Sequence, residues 1–290
     1  MMEAMLYSKR SNNSVVCRVC SLHCLINDGE RGICGVRENV DGTLYVLNYE
    51  KAIAMAIDPI EKKPIYHFLQ GTKTYSFAAV GCNMFCPWCQ NWSISQGPKP
   101  DKYVNGISIA PEEHVNRAIR NSCPSIAYTY SEPTVFLEYA LDTMKIARDK
   151  GLKNIWVSNG IMSKETLNAI IPYLDAANID YKGPDDEMYE KYCGGKATQV
   201  MKNMKQLQEA GIHLEVTTLI IPGINDQREQ ILEIAQTLVS GLGQNVPWHI
   251  SRFFPAWQME NVAITPLDTL IMAYDIGKDA GMKTIHIGNI

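Results

Sequence analysis

The chain has 290 residues, with 27 Lys and Arg against 31 Asp and Glu and a formal net charge of -4, a balance that disfavours a nucleic-acid or membrane surface built on bulk positive charge. Hydrophobic residues make up 46% and charged residues 20%, which is enough apolar content for a full core and argues against disorder. The length suits one α/β unit of about 200–250 residues with an appendage. No apolar stretch approaches the about 18 residues of a spanning helix, and the start, MMEAMLYSKRSNN, has no apolar signal-peptide core, so a cytoplasmic address is expected.

Residues 1–74 are rich in cysteine and turns and are expected to form a small N-terminal metal-binding domain. Cys17-x2-Cys20-x3-Cys24-x9-Cys34 supplies four thiolates in eighteen residues. That closed set fits a tetrahedral zinc, a mononuclear iron or a complete auxiliary [4Fe–4S] cluster, and His23 could replace one ligand. Spacing does not rank the three. A purely structural knuckle is the plainer expectation, because four ligands in so short a segment can fold a small domain unaided. Asn39-Val40-Asp41-Gly42 predicts a hairpin and Asp58-Pro59 a turn.

Residues 75–290 alternate β-prone runs with helical ones. Strands are predicted at 75–80, 125–130, 154–158, 176–181, 213–220, 247–252 and 284–287. One helix carries Phe136, Ala140, Met144 and Ala147 on a single face and stops at Gly151; another, striped by Val200, Met204 and Leu207, stops at Gly211. Asp226 and Glu229 suggest a capping box before a third, and Thr265-Pro266 a cap and first-turn proline before the last. The repeat predicts an α/β fold with right-handed crossovers, either a partial parallel (β/α)6-type barrel or an open doubly wound sheet. No Gly-x-Gly-x-x-Gly turn supports a dinucleotide site.

The sharpest signal is Gly81-Cys82-Asn83-Met84-Phe85-Cys86-Pro87-Trp88-Cys89, a C-x3-C-x2-C directly after the first of these strands. Three thiolates are one short of saturating a [4Fe–4S] cluster, so one iron stays open. A closed structural zinc would need a fourth ligand, and His67 and His114 lie on separate segments.

The spacing, with an aromatic Trp88 before the last cysteine, resembles the signature of the radical S-adenosylmethionine (SAM) enzymes. In that family the cofactor's amino and carboxylate groups chelate the open iron, and reductive cleavage gives methionine and a 5′-deoxyadenosyl radical that abstracts hydrogen. The resemblance implies a [4Fe–4S] cluster on Cys82, Cys86 and Cys89, SAM as cofactor, and a reductant such as ferredoxin or flavodoxin as partner.

Other motifs fall at the ends of predicted strands, where a parallel barrel assembles its active site. Tyr130-Ser131-Glu132-Pro133 resembles the Gly-Gly-Glu-Pro element that holds the cofactor's ammonium; otherwise Glu132 favours a helix N-terminus. Ser158-Asn159-Gly160 and Asp180-Tyr181-Lys182 resemble the Thr-Asn-Gly and Asp-Leu-Lys elements of the glycyl-radical-activating branch, near the cofactor's carboxylate and ribose. Period two faces Asp180 and Lys182 the same way, so the two can also pair with each other. Ile221-Pro222-Gly223 resembles that branch's Val-Pro-Gly turn, where Gly223 lets backbone approach adenine. His249 and Ser251 share a face of the sixth strand with Arg252 opposite, and His249 is a candidate contact to cofactor or substrate. Val157 and Thr217 stand where the activases often have Asp and Arg, which weakens transfer of their function. Cys193 falls where they often have Thr; a small buried residue is the plainer reading of it and of Cys123.

Taken with Gly32-Ile33-Cys34-Gly35-Val36-Arg37 and the segment from Asp58 to Phe68, these motifs resemble the AmmeMemoRadiSam-system radical enzymes, described as similar to pyruvate formate-lyase activating enzyme. Many of those continue past Gly288-Asn289 into a cysteine-bearing tail, while this chain ends at Ile290. Lys63, Tyr66 and His67 are lid or substrate candidates. The expectation is an enzyme of oxidoreductase type that abstracts hydrogen from a protein or small-molecule substrate. The alternatives are an activase of a glycyl-radical partner and a noncatalytic metal-binding interaction protein.

Overall fold

The computed structural model describes residues 2–101 and 103–290. Its frame is a nine-stranded sheet. In chain order the strands are β1 (Lys51–Pro59), β2 (Lys73–Ala79), β3 (Ile107–Ser108), β4 (Ser125–Tyr128), β5 (Lys153–Ser158), β6 (Ala176–Asp180), β7 (His213–Ile220), β8 (Trp248–Arg252) and β9 (Ile285–Gly288). The spatial order is β9-β8-β7-β6-β5-β4-β2-β1-β3.

The seven predicted strands are all present, within a few residues of their expected ends, and each pairs in parallel with its neighbours. β1 and β3 add an antiparallel edge. The fold is thus α/β with a mostly parallel central sheet, and its edge strands β9 and β3 do not pair with each other. β1 falls within the segment 1–74 that the sequence sets apart, yet it is hydrogen-bonded along β2.

From Thr74 to Ala79, every residue of β2 is buried, the pattern of a strand covered on both faces. Trp156, Trp248, Phe77 and Phe136 fill the layer between sheet and helices. On the other face Ile60 and Ile65 pack against Ala127, Ile155 and Ala176, so the connection between β1 and β2 covers that face of the sheet. The helices Leu137–Asp149 and Ala197–Glu209 end before Gly151 (φ +77°) and Gly211 (φ +78°), the left-handed stop that glycine permits. The predicted capping box lies one residue further on, at Gln227 and Gln230. Asp226 instead accepts from the Gly223 amide. Pro266, not Thr265, precedes the last helix, because the Thr265 hydroxyl is spent on the Ile220 carbonyl.

The amino-terminal segment forms two three-stranded antiparallel sheets. The expected hairpin joins Arg37–Val40 to Thr43–Val46, with Asp41 (φ +51°) and Gly42 (φ +77°) in the left-handed turn. Asp58 and Pro59 end β1 rather than forming an isolated turn. The segment is docked on the parallel sheet: Cys20 bridges Met162, and the Val19 carbonyl accepts from Ser163 N and Thr166 Oγ1.

Candidate active site

Crossover topology puts the carboxyl ends of β2, β4, β5, β6, β7 and β8 on one side. A cavity of about 360 Å³ opens there, within the range of small-molecule and cofactor sites. Cys82, Cys86, Trp88 and Cys89 line it from the loop after β2. So do Ser131 and Glu132 after β4, Ser158 and Asn159 at the end of β5, and Asp180 and Lys182 from β6. The sequence reading did not single out Lys62, Gln96 or Asn289, which also line it.

Glu132 is the buried anion of the cavity. Its Oε1 accepts from Thr134 N (3.0 Å), Thr134 Oγ1 (2.5 Å) and Ser158 Oγ (2.7 Å), and its Oε2 accepts from Asn159 N (2.9 Å). Burial pushes its pKa up against the pull of these donors. No Lys, Arg or His pairs with it among the described residues. The residue therefore caps the turn Pro133–Phe136 and lines the cavity at once. Tyr130, two residues before it, has φ +66°, a conformation that costs a bulky side chain. Three contacts hold it there: Asn91 Nδ2 donates to its carbonyl (2.8 Å), Lys63 Nζ reaches its hydroxyl (3.1 Å), and that hydroxyl donates to Asp58 Oδ2 (3.2 Å).

Asp180 and Lys182 pair as period two allows, Nζ to Oδ2 at 2.6 Å. Lys182 also faces Cys86 and Cys193, and the anion of Asp180 holds its pKa well up despite burial. Asn159 Nδ2 donates to Asn83 Oδ1 (2.8 Å) and approaches Cys82 Sγ (3.7 Å), and Met84 N donates to Cys82 Sγ (3.4 Å). Burial pushes the Cys82 thiol up, as it does that of Cys89. For Cys86 the neighbouring Cys193 thiol is the larger cause. Cys193 is buried, and its carbonyl accepts from Phe85 N (3.1 Å).

Two sequence candidates lie elsewhere. Gly223 is exposed in a turn outside the lining of the cavity. His249 points from β8 into the interior beneath it and gives Nε2 to Glu215 Oε2 at 2.6 Å. Glu215 Oε1 takes His213 Nε2 (2.9 Å) and the amides of Tyr66 (2.9 Å) and His67 (2.8 Å). Those donors hold the Glu215 carboxyl well below its usual range although it is buried. Ser251, two residues on, does line the cavity, whereas Arg252 turns out to the Thr265 carbonyl. Lys63 lines the cavity; Tyr66 and His67 join the histidine group. Glu215 was missed, although a Glu inside an apolar strand, in period two with Thr217 and Leu219, is a readable signal.

Cys17, Cys20, Cys24 and Cys34 line a second, small pocket, walled by Arg37, Asn83 and Val135 among others. Burial pushes the Cys17 thiol up to about 11. His23 has φ +46° and is not part of that lining. Among the described residues no three His, Cys, Asp or Glu side chains converge on a single-ion centre, in this pocket or in the larger one.

The family model of the radical SAM superfamily matches residues 77–235. This chain belongs to the radical SAM superfamily. An uncharacterised protein of Methanocaldococcus jannaschii is 45% identical over 290 residues, all of this chain and 86% of that one. The pyruvate formate-lyase-activating enzyme of Clostridium pasteurianum is 20% identical over 164 residues, 54% of this chain and 66% of that enzyme. Among solved structures, a radical SAM methyltransferase from Sphaerobacter thermophilus superposes with a TM-score of 0.58 at 13% identity, covering 76% of this chain and 67% of that one. Relatives named activating enzymes are thus among the proteins that this radical SAM chain resembles over part of its length. Among the described residues no helix is long and apolar enough to cross a membrane.

Proposed function

We propose that Cys82, Cys86 and Cys89 hold a [4Fe–4S] cluster with one open iron and that SAM binds beside it. When bound, the pair supplies the 5′-deoxyadenosyl radical that abstracts hydrogen from the substrate. The observation that carries this reading is the single cavity shared by the three thiols, Glu132 and the Asp180–Lys182 pair. The donor set fits: three soft thiolates leave a coordination position, and a buried carboxylate with no cation of its own suits an ammonium.

In this reading Glu132 takes the cofactor's ammonium, held in place by Thr134, Ser158 and Asn159. Lys182 offers its charge to the carboxylate, and Asp180 accepts from hydroxyls of the ribose. Ser131, fixed by its bond to the Ala79 carbonyl, and Trp88 shape the wall. Exposed Lys62 and half-buried Tyr130 line the side where the substrate, a protein or a small molecule, would enter, with Lys63 buried behind them. A one-electron donor of ferredoxin or flavodoxin type supplies the electron.

Relatives named activating enzymes favour a second reading, a glycyl-radical activase. Anaerobically reconstituted protein should release 5′-deoxyadenosine from SAM under strong reduction, and Cys86→Ala should not. Cleavage by that variant would overturn the cluster assignment. A stable backbone radical on a partner chain would select the activase reading.

A further inference from the structure

The pocket of the four amino-terminal cysteines contains a donor with nothing to bind. Arg37, which walls it, is 1% exposed, and its Nη1 and Nη2 are spent on Glu138 and the Val135 carbonyl. Its Nε–H has no acceptor. Buried N–H groups without partners are rare in native proteins, and each points to a group that the protein atoms do not supply. The guanidinium faces Cys17 and Cys34. A metal-bound thiolate or a bridging sulfide in this pocket would supply the acceptor it lacks.

The position of the pocket bears on which metal it takes. A structural knuckle can sit anywhere on a fold, but this one shares a wall with the catalytic loop. Asn83 lines the thiol pocket, follows Cys82 in the chain, and accepts from Asn159, whose amide also approaches Cys82 Sγ. A Cβ on Gly81 would lie 2.9 Å from Val36 Cγ1 and 3.2 Å from the Cys34 carbonyl, so glycine lets the two cysteine segments touch. Lys99 donates to the Met84 carbonyl (2.5 Å), and its charge faces Cys34 as well as Cys82, Cys86 and Cys89. One ammonium thus lies within electrostatic reach of both thiol sets. Cys24, partly exposed, gives the pocket an edge toward solvent.

We propose that Cys17, Cys20, Cys24 and Cys34 hold a four-thiolate [4Fe–4S] cluster that relays single electrons to the centre on Cys82, Cys86 and Cys89. The step balances. A one-electron reductant of ferredoxin or flavodoxin class would lose one electron to the oxidised cluster of the quartet, and the reduced cluster would return to its oxidised state by passing that electron to the centre on Cys82, Cys86 and Cys89; no proton or bond is exchanged. The proposal rests on the reading of the Cys82 loop given above. A lone ion does not fit the pocket, since among the described residues no three of these side chains converge on a single-ion centre.

The test uses the full chain with Cys82, Cys86 and Cys89 replaced by Ala, purified anaerobically with iron and zinc supplied. The variant is expected to keep about four irons per chain with the absorption of a cubane cluster. Zinc, a single iron, or no metal overturns the proposal. In a second arm, Cys24→Ala and Cys24→Ser, with the catalytic loop intact, are mixed with reduced flavodoxin, and reduction of the catalytic centre is followed by rapid-freeze electron paramagnetic resonance. The expected result is a slowing of at least tenfold, with full reduction by excess dithionite showing that the protein is folded and loaded. An unchanged rate overturns the relay even if iron is present. Failure of wild-type protein to cleave SAM would sink the reading of the Cys82 loop, while the metal content of the triple variant still decides the quartet.

Discussion

Arg37 and Glu138 meet 101 residues apart in sequence as a buried two-pronged pair, Nη1 to Oε1 at 3.0 Å and Nη2 to Oε2 at 2.6 Å. The pair ties the cysteine-rich segment to the helix that follows Glu132, and the Met5 amide adds a third donor to the same carboxylate. Two loops carrying the thiols and the buried anion are therefore held by one ion pair.

Removing one partner of such a pair leaves a buried charge alone. Glu138→Leu should destabilise the protein by about 3–5 kcal/mol, read as a shift in the denaturant midpoint. Burial would raise the Glu138 pKa, but Arg37 outweighs it, and the folded value lies below the ordinary 4.5. A depressed carboxyl stabilises the fold above its unfolded value and loses that contribution as pH falls through the folded one. Wild-type stability should accordingly fall below about pH 4.5, and the part of the fall due to this carboxyl should be missing in Glu138→Leu.

Glu132→Gln keeps the shape and removes the charge. Affinity for SAM should drop by about 1.5–3 kcal/mol, the scale of a charged hydrogen bond, measured by calorimetry on the anaerobic cluster-loaded protein. Gln still offers one oxygen to Thr134 and Ser158 but sets its amide against the Asn159 N–H, so a stability loss of about 1–3 kcal/mol is expected beside the loss of affinity. Unchanged binding would leave Glu132 with its capping role alone.

Glu215 gathers His213, His249 and the amides of Tyr66 and His67 beneath the cavity. Gln at this position has one acceptor oxygen for four donors. Glu215→Gln should cost about 1–3 kcal/mol, the penalty of buried donors left unmade, and the Tyr66 and His67 amides should exchange hydrogen faster.

Gly160 follows Asn159 with φ +77°, and a Cβ there would lie 2.8 Å from Val200 Cγ1 and 2.9 Å from Ile179 Cγ2. Gly160→Ala combines a left-handed backbone penalty with overpacking, and a loss of about 1–3 kcal/mol is expected. Ser158 and Asn159 should shift with it, so SAM affinity should fall in parallel with stability.

Local signals in the sequence sufficed for everything that depends on spacing along one segment. Cysteine spacing marked the Cys82 loop, alternation and length marked the seven parallel strands, and period two paired Asp180 with Lys182. These are legible because a thiolate loop, a strand and a helix each bury their groups within a few residues of chain. What required the tertiary structure is every relationship across strands. β1 joins the main sheet because its partner β2 offers an unpaired edge, which no pattern within Lys51–Pro59 announces. His249 turns to Glu215 because a buried carboxylate recruits the nearest donors of neighbouring strands. The two cysteine sets become neighbours through Gly81, Asn83 and Lys99 because the amino-terminal sheets dock on the loops after β2 and β5. Sequence separation says nothing of such contacts, since they are fixed only when the chain closes over its common core.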